Sequence, residues 1–139
     1  MEYDILVVAT GSRIVADEVE GLTGTGWYEN AFDFYSLEGA TQLAHKLEKF
    51  KGGKVLVHIA EMPIKCPVAP LEFAYLADAY FTKRGMRDKV EMQYVTPLDA
   101  AFTKPKAAAA FGNMMADRGI EVVPDFLVEK VEGDKGEDG

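Results

Sequence analysis

The chain predicts an open, mostly parallel α/β sheet with helices on both faces, gathered in a single domain. Three observations point there. Short apolar runs alternate with amphipathic stretches in the order β, linker, α, β, α, β, α, β, β, the order produced by crossover-connected parallel strands. One run, Lys54 to Ala60 (KVLVHIA), is apolar almost without interruption, as a central parallel strand covered on both faces must be. Finally, 139 residues with 48% hydrophobic and 27% charged side chains supply one domain with its own core, too little for a complete multidomain enzyme.

The elements follow in order. Tyr3 to Ala9 is a short apolar run rich in β-branched residues, stopped by Thr10-Gly11-Ser12, and predicts a buried strand entering a tight turn. Residues 14–35 carry acidic side chains, glycines and scattered aromatics without a period, and read as a linker. From Leu37 to Phe50 the apolar residues Leu37, Ala40, Leu43, Ala44, Leu47 and Phe50 recur at helical spacing. Ser36 is placed to cap that helix and Gly52-Gly53 to end it. After the strand at 54–60, a second helix is predicted from about Pro70 to Arg84, ended by Gly85. Lys89 to Thr96 is the next strand and Lys106 to Arg118 an alanine-rich helix closed by Gly119. Two short strands, 120–123 and 126–131, flank Pro124-Asp125, and 132–139 form an acidic tail.

Charge and composition exclude several classes. A net charge of −8 opposes nucleic-acid binding, which needs clustered Lys and Arg. No apolar run is long enough to span a bilayer and no signal-peptide pattern begins the chain, so a cytoplasmic location is expected. Cys66 stands alone, which excludes an internal disulfide, and His45 and His58 do not complete a zinc set, so no metal site is expected. His58, mid-strand, reads as a core histidine satisfied by hydrogen bonds. Val68 to Phe81 is apolar around nearly its whole circumference, as in a helix buried on all sides or one reserved for a partner.

In a doubly wound sheet the ligand lies beyond the carboxyl ends of the strands. The turn at that place, Glu61 to Pro70, has no glycine and contains Pro63, Pro67 and Pro70, which lack N–H donors. The alternation predicts a Rossmann-like scaffold, and this turn argues against NAD binding there. What the turn offers instead is Cys66, just before a helix N-terminus and next to Lys65, where the helix dipole and the ammonium both favour thiolate. A small residue filling space at the helix start is the competing reading of Cys66.

The stretch MPIKCPVAPLEFAYLADAYFTKRGMRDKVEMQYVTPL, Met62 to Leu98, resembles sulfide:quinone oxidoreductases and their relatives among the FAD-dependent pyridine nucleotide-disulfide oxidoreductases. YDILVVATGSR, Tyr3 to Arg13, is similar to the strand and ATG turn that in these flavoproteins closes the first dinucleotide domain near FAD. The resemblance implies that Cys66 is the redox-active cysteine, that Thr10 and Gly11 form the FAD-adjacent turn, and that sulfide and quinone are the substrates. The family's FAD-binding glycine fingerprint and its second redox cysteine are not among these residues. The chain therefore resembles the second, NAD-domain-like module. FAD then belongs to the complete enzyme rather than to this chain alone, with the FAD-binding and C-terminal parts as partners and a peripheral position at the membrane. The implied division is a terminal strand and turn at 1–13, a linker at 14–35, a Rossmann-like module at 36–131 and a tail at 132–139. The alternative is a non-catalytic Rossmann-like module that binds a partner or forms a homo-oligomer through its apolar helix.

Overall fold

A computed structural model describes residues 2–133. Three helices, α1 (Leu37–Lys49), α2 (Ala69–Lys83) and α3 (Pro105–Ala116), alternate with three strands, β1 (Gly53–His58), β2 (Val90–Val95) and β3 (Ile120–Val123). The strands form a wholly parallel sheet in the order β1-β2-β3, the open Rossmann-like α/β arrangement read from the sequence. Gly85 and Gly119 both have positive φ at the ends of their helices, as expected of glycine after a last turn.

One face of the sheet holds the core. Register places Val57 opposite Tyr94 and Met92 opposite Ile120, and these side chains meet Leu71, Ala74, Ala77 and Phe81 of α2 and Met115 of α3. The end of α1 packs on the same side: Phe50 lies against Phe81, and Arg84 donates to the Leu47 and Glu48 carbonyls.

The opposite face has no helix among the described residues. It is polar along much of its length, with Lys54 paired to Glu91 at 3.0 Å and Gln93 donating to Glu121 at 2.6 Å. Lys54 to Ala60 was expected to be a central strand covered on both faces, yet β1 is an edge strand here, and its Leu56 is 54% exposed. That run keeps the composition of a doubly covered strand while only Val57 and Ile59 are buried.

Other elements also differ from expectation. Residues 3–9 pair with no strand, and Ile5, Leu6, Val7 and Val8 are all exposed. Residues 126–131 are not a sheet strand. Pro124 and Asp125, at φ +55, turn the chain away, and the Phe126 N–H goes to the Thr96 carbonyl, leaving one bridge between Glu20 and Lys130. The helix over Val68 to Phe81 is buried on one side only, with Leu76 69% exposed. Of the acidic tail, 134–139 lie outside the described residues.

Residues 14–35 fold against the rest of the chain. The Val131 N–H donates to the Glu20 carbonyl, and a Cβ at Gly21 would overlap the Val131 carbonyl, so only glycine allows that approach. Asp78, with a mostly buried side chain, joins helix to sheet by pairing with Arg87 at 2.6 Å. Arg87 also donates to the Val90, Arg118 and Gly119 carbonyls.

Candidate functional site at the β1–α2 turn

β1 ends at the carboxyl edge of the parallel sheet and residues 59–68 lead into α2, so the turn occupies the position where open α/β sheets bind ligands. Pro70 fits the first turn of α2, where a missing N–H costs nothing. Cys66 lies two residues before the Val68 cap, and its side chain is exposed as a free thiol. The sulfur is therefore not buried against the start of α2 in this chain, where the space-filling reading would place it.

Two donors hold the Cys66 backbone. Its carbonyl accepts the Ala69 N–H at 3.1 Å and the Tyr35 hydroxyl at 3.0 Å, the latter across 31 positions of sequence. Lys65, expected beside the sulfur, sends its ammonium to the Ser12 carbonyl at 3.3 Å. That contact brings the Thr10-Gly11 turn, otherwise exposed, next to the Cys66 turn. Gly11 has φ +69, and a Cβ there would meet nothing within 4 Å, so the outer side of its backbone is open to an approaching group.

Tyrosines that had no signal in the sequence lie close by. Burial, then the neighbouring Cys66, pushes the Tyr35 phenol above the usual 10. Tyr94, on β2, is wholly buried, and its hydroxyl has no hydrogen-bond partner among the described residues. Burial foremost, with Tyr35 and Tyr75 next, pushes its pKa strongly upward, so it stays a neutral phenol. Tyr75 donates its hydroxyl to the Phe111 carbonyl at 3.0 Å, and burial raises it too.

His58 differs from the expected core histidine. It is exposed at the end of β1 and makes an edge-on contact with the Phe126 ring at 5.5 Å, and partial desolvation lowers its pKa below 6.5. Among the described residues no group of His, Cys, Asp and Glu could hold a metal ion. No helix among them is long and apolar enough to cross a membrane.

Comparison with known proteins gives a consistent result. The chain is 29% identical to the mitochondrial sulfide:quinone oxidoreductase of Mus musculus across 99% of its own length and 30% of that protein. It is 27% identical to the Dictyostelium discoideum mitochondrial sulfide:quinone oxidoreductase, with the same coverage. The crystal structure of the sulfide:quinone oxidoreductase from Aquifex aeolicus superimposes with a TM-score of 0.74 at 29% identity, covering 97% of this chain and 32% of that one. No family model matches. The chain thus spans about a third of the length of the relatives it resembles, and nearly all of it is matched.

Proposed function

We propose that this chain is one module of an FAD-dependent oxidoreductase of the sulfide:quinone type, in which Cys66 takes sulfide sulfur and relays electrons toward flavin. The observation that carries the reading is an exposed Cys66 on the β1–α2 turn of a chain similar throughout to sulfide:quinone oxidoreductases. The domain division at residues 1–13, 14–35 and 36–131 belongs to the same proposal, as does a peripheral position of the complete enzyme at a membrane holding quinone.

In the reaction, Cys66 is bridged to a second thiol supplied by sequence outside these 139 residues. Hydrosulfide attacks one sulfur of the bridge. A new S–S bond forms as the old one breaks, leaving a persulfide on one sulfur and a thiolate, holding the released electron pair, on the other. FAD, where the complete enzyme binds it, would supply a two-electron acceptor for that pair. Thr10 and Gly11 would border it through open backbone, joined to the Cys66 turn by the Lys65 contact. The residues seen here present the thiol, hold its backbone and keep the two turns adjacent.

The test begins with the mixed disulfide of Cys66 and thionitrobenzoate. Its low-pKa aromatic thiol is the better leaving group, so hydrosulfide attack releases it and leaves one added sulfur on Cys66. We expect the folded chain to react at least about tenfold faster than the chain unfolded in urea, with the persulfide identified by mass. Equal rates would overturn a role for the folded turn. The chain alone is expected to purify without flavin, and a yellow, FAD-loaded preparation would contradict its reading as half a site.

A further inference from the structure

The segment before α1 is more ordered than a connector needs to be. One oxygen of Asp33 accepts the Tyr35 and Ser36 N–H groups at 3.0 and 2.7 Å, and the other accepts the Ser36 and Tyr28 hydroxyls at 3.0 and 3.3 Å. Ser36 completes the cap by accepting the Gly39 N–H at 2.9 Å, and a Cβ at Gly39 would overlap the Asp33 carboxylate. Phe34 stacks almost parallel on Phe73 of α2, with ring centres 4.6 Å apart. The backbone of 33–36 is therefore pinned to α1 by Asp33 and Ser36 and to α2 by Phe34. Between those anchors Tyr35 extends to the Cys66 carbonyl.

We propose that Tyr35 is a positioning residue for Cys66: its donated hydrogen bond fixes the β1–α2 turn so that the thiol is held in one orientation at the carboxyl end of the sheet. This rests on the reading of Cys66 given above. The raised phenol pKa keeps Tyr35 a donor throughout the neutral range. The Ala69 N–H still serves the Cys66 carbonyl when the hydroxyl is removed, so Tyr35→Phe leaves no buried group unpaired and should cost little stability.

The same Cys66 mixed disulfide tests the idea. Tyr35→Phe is expected to slow hydrosulfide attack about two- to tenfold, the equivalent of one ordinary neutral hydrogen bond, while the melting temperature stays within a few degrees. 4-Aminophenylalanine at position 35 retains a donor and should restore the rate, which a purely structural role of the ring would not require. If Tyr35→Phe fails to melt cooperatively, Asp33→Asn, which loosens the anchor while leaving the phenol in place, should slow attack to a smaller extent. A fast wild-type reaction that either variant leaves unchanged overturns the role of Tyr35 and spares that of Cys66. A wild-type rate equal to that of the unfolded chain overturns both.

Discussion

Two apolar runs of similar length and composition, Tyr3 to Ala9 and Lys54 to Ala60, meet opposite fates in this chain. The second becomes β1 because β2 lies beside it: Val57 pairs with Tyr94, and α2 covers both. The first has no neighbouring strand among the described residues, and Ile5 is 83% exposed where Ile59 is 4% exposed. A strand is a property of pairing and cover, so β-propensity names a segment that can be a strand without naming its partner. The proposed module reading supplies a physical reason for the difference, since the partner of the first run would lie in the flavin-binding part.

The largest expected effect separates the two runs directly. Ile59→Ala should destabilise the chain by about 2–5 kcal/mol, whereas Ile5→Ala should stay within about 0.5 kcal/mol, both measured by urea unfolding. Equal costs would mean that residues 3–9 are packed. Asp78→Ala tests what holds the covered side together. It leaves the Arg87 guanidinium without its carboxylate between α2 and the sheet and should cost about 1–3 kcal/mol. Ser36→Ala, removing the α1 cap, should cost about 1 kcal/mol in the same assay.

The smallest effect concerns the end of β1. Folding favours neutral His58, so its titration leaves stability constant above about pH 6.5. As pH falls below that value the unfolded chain takes up the proton first, and stability declines until folded His58 is protonated too. Melting temperatures from pH 7.5 to 5.5 should therefore fall less for His58→Asn than for the parent chain. Identical slopes would show that His58 is fully solvated.

Much of the sheet was legible because periodicity and helix punctuation are local. Ser36, Gly85 and Gly119 mark helix ends by backbone chemistry that any reader of the sequence can apply. The position of Cys66 before α2 was equally legible, as was the absence of a glycine-rich nucleotide turn. What was not legible depends on distant partners. Leu56 has the same residue type as buried Leu71, and only the strand order reveals that it stands at an edge. Lys65 sits beside Cys66 in sequence, yet its ammonium turns to Ser12, 53 positions away. Tyr35 lies in a stretch without periodicity, and its reach to Cys66 emerges only once Asp33 and Phe34 are placed. The runs at 3–9 and 126–131 were read as strands from composition alone, and neither finds a place in the sheet.

In the proposed function the Cys66 and Thr10-Gly11 turns are two halves of one site, and they differ: hydrogen bonds hold the first, while the run before the second joins no sheet strand among the described residues. Amide hydrogen exchange, read residue by residue on the 139-residue chain, tests this most directly. Strong protection is expected at Val57, Met92 and Tyr94, clear protection at Ala69, whose N–H is held by the Cys66 carbonyl, and exchange near the free-peptide rate from Asp4 to Val8. Protection across Asp4 to Val8 equal to that of β1, in the chain alone, would contradict it.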